Sequence, residues 1–357
     1  MTTSIDLPTR LHGALAAGIA ARPADALLLS GGVDSSLLAA LAAEGAGTPP
    51  VAITVSLDTA PVDTCPLHGR DLAVRCNSDH DAASDVASWL ALSWQPIRIT
   101  VEVALEALLE LCLALRSFDL GNLNNIALYI GTLRATRIGA KRIWTGDDAD
   151  SLFGGYRFLA RHDDWQDYLA ERIPTIRPPF TDIAAITGAT PVFPWLHPRV
   201  LEIAQSLERK DVLVDIPRSE QPRPPSFMDQ FDHDAMAAER RTWGKVPLRH
   251  LAARSLPQDI AWRPKTDLEF GSGMCALEPH LAGSVTPDHR ECLDRTGIRF
   301  FNDAHRGLYL RWIDAGGEIR ARQAGEYACA SCGGGVANGR RHCPTCGAWP
   351  ADEPPEH

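Results

Sequence analysis

Lysine is almost missing from this chain of 357 residues. Only Lys141, Lys210, Lys245 and Lys265 are present, so arginine supplies nearly all of the 35 basic side chains. Such a skew can come from genome composition alone, but it makes each lysine worth weighing. A basic surplus is missing too: 45 acidic residues against 35 basic ones leave a net charge of -10. That balance argues against an unassisted grip on a polyanion, although local basic patches stay open. No apolar run approaches the ~18 residues that span a bilayer. The small apolar stretch from Leu11 to Ala21 has Arg10 as its only preceding positive side chain and a strand close behind. It reads as a helix packing on a sheet rather than as a leader. The expectation is a cytoplasmic protein without membrane contact.

What is present is ordinary globular material, 45% hydrophobic and 22% charged, long enough for one large domain plus a small one, or for two. Nine cysteines, four of them in paired C-x2-C spacing, suit a reducing compartment and a metal better than a disulfide framework.

The most informative stretch runs from Asp25 to Leu37. Ala26 to Leu29 is a short apolar run of the kind that makes a buried parallel strand, and Leu37 to Leu41 restarts as an Ala/Leu helix. Between them lies Ser30-Gly31-Gly32-Val33-Asp34-Ser35-Ser36. Adjacent glycines let the backbone turn sharply and approach a ligand, and the first amides of the following helix point outward at the positive end of its dipole. That is a cradle for a phosphate. It is not a Walker A loop, because no lysine follows the glycines. The pattern S-G-G-x-D-S resembles the signature of the PP-loop ATP pyrophosphatases, which release the pyrophosphate of ATP whole while AMP goes onto the substrate. The plainer alternative is a Gly-Gly turn whose Asp34 and Ser35 merely favour the first helical turn.

Strand-like and helix-like runs then alternate in the manner of a doubly wound sheet. Val51 to Leu57, Gln95 to Val101 and Arg142 to Thr145 read as strands; Asp81 to Leu92, Val103 to Arg116 and Ile126 to Ile138 read as helices. Ser30 and Gly146 both follow strands, so their loops should share the crevice at the carboxyl ends of the sheet.

The second motif is Thr145-Gly146-Asp147-Asp148-Ala149-Asp150-Ser151-Leu152-Phe153-Gly154-Gly155-Tyr156. It resembles the asparagine synthetase signature T-G-E-G-A-D-E-L-F-G-G-Y. Together with the first loop it looks like the synthetase half of that family, which also includes β-lactam synthetases and lasso-peptide cyclases. Two further stretches follow in the family's order. Pro191 to Leu207 is similar to P-F-L-D-x-R-L-V-E-x-A, and Trp243 to Lys265 to K-x-x-L-R-x-A...L-P-x-x-I-x-x-R-x-K. The likeness runs over roughly residues 22 to 280, and Gly271-Ser-Gly-Met274 closes it as a flexible loop.

The resemblance implies ATP and magnesium as cofactors. Asp34 and Asp150 match the positions that hold magnesium, and Ser30, Gly31, Gly32, Val33, Asp34, Ser35 and Ser36 match the phosphate loop, with Gly146 facing it. Val55 to Leu57, including both end residues, would line the adenine. Lys265 matches the lysine at the reaction centre, whose charge stabilises an acyl-adenylate. Asp147 matches the carboxylate that handles the proton of the attacking nitrogen. Lys245 and Arg249 would be structural or phosphate-facing. The chain departs from the pattern at Asp147 (for Glu), Asp148 (for Gly) and Ser151 (for Glu), which puts the product in question rather than the adenylation.

The family's full-length enzymes carry an amino-terminal glutaminase. This chain opens Met1-Thr2-Thr3 and reaches its phosphate loop within about thirty residues, too few for such a domain. Nitrogen is therefore expected from free ammonia, a separate glutaminase partner, or an amine already on a substrate.

From Tyr327 the composition changes. Cys329 and Cys332, then Cys343 and Cys346, supply four thiolates for a tetrahedral zinc, with a glycine after each pair. This looks like a zinc ribbon, structural or used to dock a protein or RNA, and closed to chemistry. Cys65, His68, Cys76 and His80 offer the makings of a second zinc site at an uncommon spacing; hydrogen-bonded histidines beside free thiols are the alternative. Cys112 and Cys275 read as packing residues, and Cys292 is uninformative.

These observations lead to an α/β fold, a doubly wound parallel sheet of the PP-loop type with a helical C-terminal part and a small zinc ribbon. The expected division is an N-terminal helical extension over 1–21, a synthetase-like domain over 22–325, the ribbon over 326–350 and a disordered tail over 351–357. The expected activity is an ATP-dependent ligase that adenylates a small or carrier-bound carboxylate and forms an amide. The alternatives are a PP-loop enzyme of tRNA modification or sulfur transfer, favoured by the ribbon and by Arg240-Arg241 or Arg340-Arg341, and a scaffold that binds nucleotide without turnover.

Overall fold

Alternate residues of the first strand face opposite layers, and that alternation sets the architecture. In strand β1 (Ala26–Leu28), Ala26 and Leu28 pack with one set of helices, while Leu27 and the following Leu29 pack with another. The structure, a computed structural model, describes residues 7–58, 77–156, 158–159, 164–217 and 240–353. Strands β1, β2 (Val51–Leu57), β3 (Trp94–Ile99), β4 (Arg142–Trp144) and β5 (Thr190–Val192) form one parallel sheet in the order β3-β2-β1-β4-β5.

One face carries α1 (Leu7–Ala21), α2 (Val33–Glu44) and α3 (Asp79–Trp89); the other carries α4 (Val101–Leu115), α5 (Ile126–Arg137) and, further along, α8 (Phe180–Thr187). Helices α6 (Ala149–Phe153) and α7 (Trp165–Arg172) lie between β4 and α8 in the chain. This is the doubly wound sheet expected. The order reverses between β1 and β4, and ligands in such sheets bind where it does.

The structure differs from the sequence reading in places. Helix α2 begins at Val33, four residues before the Ala/Leu run, because Gly32 already serves as its cap and Ser36 donates to the Gly32 carbonyl at 3.0 Å. Strand β5, only three residues long and holding Pro191, is too short to show periodicity. An antiparallel pair of strands, Val214–Pro217 with Arg240–Trp243, also lies outside the expected elements.

The cysteine segment is not a detached module. Its hairpin, Glu326–Ala328 with Gly335–Ala337, belongs to the same apolar cluster as Phe118, Leu308 and Trp312. Phe118 donates its amide to the Thr345 carbonyl at 2.7 Å, Arg299 donates to Ser331 Oγ at 2.8 Å, and His342 lies 3.1 Å from Asp119. Cys112 and Cys275 are buried, as expected of packing residues, while Cys292 is exposed. Among the described residues, no helix is long and apolar enough to cross a membrane.

Candidate active site

The loops after β1 and β4 meet at the switch point. Gly31 takes φ +71°, and Gly32 caps α2 without a side-chain bond, leaving the helix start open toward the cleft. Ser30 Oγ accepts from the Gly32 amide at 3.2 Å and lies 3.2 Å from Ser35 Oγ, which stiffens the loop. Ser30, Gly32, Val33, Asp34 and Ser35 line the cleft with Gly146, Asp147 and Asp150. Leu28, Ile53, Val55, Ala127, Leu128 and Leu268 form its apolar wall. Gly31, Ser36 and Leu57 are not on that wall: Ser36 and Leu57 are fully buried, and Leu57 packs in the second core.

The two acids from distant parts of the chain share one cation. Lys245 Nζ lies 2.5 Å from Asp34 Oδ2 and 2.6 Å from Asp150 Oδ1, with only 3% of the lysine side chain exposed. Room for this contact depends on Gly155, where a Cβ would fall 1.9 Å from Asp150 Oδ1 and 2.3 Å from Lys245 Cε. Lys245 was expected nearby, but its bridging place was not foreseen. Lys265 stands further out, 3.9 Å from Asp150 Oδ2 and 3.0 Å from Asp267.

The electrostatics separate the acids. Burial pushes Asp34 up, partly offset by Lys245. Burial also opposes the charge on Asp150, but Lys245 and Lys265 together hold it below the usual carboxylate range. Burial works against the Lys265 ammonium as well, yet Asp150, Asp267 and Asp34 keep it above its ordinary value. Asp147 is pushed up to about 7, first by burial and then by the neighbouring Asp148, Asp150 and Asp34, although Thr145 Oγ1 donates to it at 3.0 Å.

A hard divalent cation takes carboxylate oxygens, and this site offers them. Asp34 Oδ1 is buried with no hydrogen-bond partner, so the pair Asp34 and Asp150 fits magnesium in both charge and donor type.

Two buried arginines brace the site: Arg263, which sequence alone does not single out, and Arg249, for which the resemblance implied a structural or phosphate-facing place. Arg263 donates to the Ser30 carbonyl at 3.0 Å, to Ser78 Oγ at 2.8 Å and to Asp79 Oδ1 at 2.8 Å, tying the phosphate loop to the start of α3. Arg249 donates to the carbonyls of Ala261 and Arg263 and lies 5.0 Å from the Trp243 ring and 5.8 Å from the Trp262 ring. Arginines in the motif stretch were the available signal; their burial was not.

At the ribbon, the sulfurs of Cys329, Cys332, Cys343 and Cys346 lie within 4.8 Å of one another. Cys329 to Cys346 is 3.8 Å and Cys332 to Cys343 is 3.7 Å. A tetrahedron with Zn–S bonds of about 2.3 Å has edges of about 3.8 Å, so the cage fits zinc. Gly333 and Gly347, the residues after each pair, take φ +77° and +74°. Cys65, His68 and Cys76 lie outside the described residues; His80 contacts Asp81 at 3.1 Å and the Trp94 ring at 5.4 Å.

A family model described as asparagine synthase matches residues 9–233. The probable asparagine synthetase [glutamine-hydrolyzing] of Schizosaccharomyces pombe is 24% identical over 258 residues, 69% of this chain and 43% of that protein. Asparagine synthetase B [glutamine-hydrolyzing] of Escherichia coli K12 is 21% identical over 255 residues, 69% of this chain and 41% of that protein. The asparagine synthetase [glutamine-hydrolyzing] of Zea mays is 25% identical over 155 residues, 42% of this chain and 25% of that protein. The chain thus spans less than half the length of the curated relatives it matches. With the family model covering more than half of its residues, this chain belongs to the asparagine synthase family.

Proposed function

We propose that the protein is an ATP-dependent ligase that adenylates a carboxylate and passes the acyl group to nitrogen, forming an amide. One observation carries this reading. Asp34 and Asp150, from the loops after β1 and β4, converge on one cation at the switch point, above a helix start open to phosphate.

A substrate carboxylate oxygen attacks the α-phosphorus of ATP, and the bond to the β,γ-pyrophosphate breaks. The amides of Gly32 to Ser35 cradle the departing phosphates, and the apolar wall around Val55 and Leu128 takes the adenine. Bound magnesium, held by Asp34 and Asp150, would neutralise charge on the leaving group. Lys265 stabilises negative charge on the acyl-adenylate. Nitrogen then attacks the acyl carbon, AMP leaves, and Asp147 accepts the proton, a task for which a carboxyl titrating near neutrality is matched.

The relatives' names include glutamine hydrolysis; here we assign the nitrogen to free ammonia, a separate glutaminase or an amine substrate. We also keep the division into a synthetase-like unit over 22–325 and a zinc ribbon over 326–350, in a cytoplasmic protein. The ribbon's contacts with Phe118 and Asp119 support a structural role. Its surroundings offer no basic surplus for RNA, with nine arginines and nine acids between Pro287 and Glu353.

The test is turnover with a panel of small and carrier-bound acids plus ammonia, analysed for nucleotide products. AMP and pyrophosphate are expected; ADP and phosphate would remove the reading.

A further inference from the structure

Asp148 stands between two residues of the cleft without lining it. Asp147 and Asp150 line the cleft; Asp148 and Ser151 do not. The Asp148 side chain is 4% exposed, and its Oδ1 lies 3.2 Å from Nη2 of Arg172. Arg172, the last residue of α7, also donates from Nε to Ser151 Oγ at 3.3 Å. One guanidinium therefore grips both side chains.

The backbone beneath this contact is unusual. Asp148 takes φ +68° and ψ -5°, the left-handed region that a residue with a Cβ occupies only when its surroundings compensate. Its Oδ2 is buried with no hydrogen-bond partner, so the carboxylate is compensated chiefly by Arg172, with a smaller contribution from Ser151.

We propose that Arg172 is the positioning residue of this turn. By holding Asp148 and Ser151 behind the cleft, it keeps the left-handed bend that presents Asp147 on one side and Asp150 on the other. Arg172 does not itself line the cleft, so it acts through the turn. The functional meaning of the inference rests on the roles assigned above to Asp147 and Asp150; the coupling itself does not.

The experiment compares wild type, Arg172→Met, Arg172→Lys, Asp148→Gly and the double variant Arg172→Met with Asp148→Gly. The groups facing Asp147 are the Thr145 hydroxyl and the carboxylates of Asp34, Asp148 and Asp150. Its titration is followed by carboxyl carbon NMR, the signal being the one absent from Asp147→Asn. In wild type the midpoint is near the value of about 7 that burial, with the three neighbouring carboxylates, imposes. It falls in Asp148→Gly, where one opposing carboxylate is gone. Arg172→Met shifts the midpoint in the wild-type background and has a much smaller effect in the Asp148→Gly background, where glycine takes the bend and only the bond to Ser151 Oγ remains to be lost.

Acid-dependent pyrophosphate release drops about tenfold in Arg172→Met, with Arg172→Lys recovering only part because an ammonium cannot reproduce the two-point grip. The inference is overturned if Arg172→Met titrates and turns over like wild type, or if its effect is undiminished beside Asp148→Gly. It also falls if the double variant does not fold. A wild-type protein that releases no pyrophosphate with any acid removes the ligase reading instead, and the titrations still judge Arg172.

Discussion

Asp34 and Lys245, 211 positions apart in the chain, meet at 2.5 Å across the switch point of the sheet. The lysine nitrogen thus occupies the space between two carboxylates that the proposed chemistry would use for magnesium. An ammonium and a divalent cation compete for the same oxygens.

Replacing that ammonium makes the first prediction. Lys245→Met leaves Asp34 and Asp150 buried without their shared cation, a loss of about 3–5 kcal/mol in the metal-free protein. Added magnesium should restore part of it, so the melting temperature of the variant should rise more with magnesium than that of wild type. Equal magnesium shifts in both proteins would separate these acids from metal binding.

Asp147 sets a pH dependence. Its folded value of about 7 lies above the ordinary 3.8, so below neutrality it keeps its proton and cannot accept another. The amide-forming step should rise with pH through about 7 when hydroxylamine is the nucleophile, and Asp147→Asn should flatten that limb while pyrophosphate release continues. For stability the sign is opposite: the native state binds the extra proton between 3.8 and about 7, so this group's contribution is lost as pH rises through that window. An unchanged profile in Asp147→Asn would exclude it as the base.

The cysteine cage should hold one zinc per chain by elemental analysis. Cys346→Ser, or a strong chelator, should lower the melting temperature of the whole protein, because Cys346 shares an apolar cluster with Phe118 and Trp312. A chain that binds no zinc, or one whose melting ignores the loss of a cysteine, would contradict this.

His305 is fully buried beside Phe118, Phe300 and Phe301, and burial lowers its value from 6.5 to about 4. The folded protein therefore prefers the neutral ring. Its contribution, about 3 kcal/mol, is fully present above 6.5 and is lost as pH falls toward about 4. Urea unfolding at pH 7 and pH 4.5 should show a smaller difference for His305→Gln than for wild type. An equal difference would place the acid sensitivity elsewhere.

Much of this protein was legible in one dimension. The apolar run, the two glycines and the acids of Asp25 to Leu37 are contiguous, and so are the acids of Thr145 to Tyr156. Their placement after strands was enough to predict a common crevice. The four cysteines announced their cage by spacing alone, and burial of Leu27 and Leu28 on opposite layers followed from a short apolar strand. Motif and periodicity are properties of neighbours along the chain, which is why they survive without coordinates.

Other features had no local cause. Lys245 reaches Asp34 only because β1 and β4 lie side by side and Gly155 leaves room, neither of which its own surroundings in the chain encode. Arg263 became a tie to Ser30 and Asp79, 233 and 184 positions away, and Arg172 the partner of Asp148 and Ser151 at the preceding helix, through tertiary packing. The ribbon, which spacing alone portrays as an independent module, shares its core with Phe118 and Trp312. Sequence by itself determined which residue types were available and what local shape each would take. Only the tertiary structure decided which charge faces which, because a long-range contact depends on strand order and on the space left by side chains elsewhere.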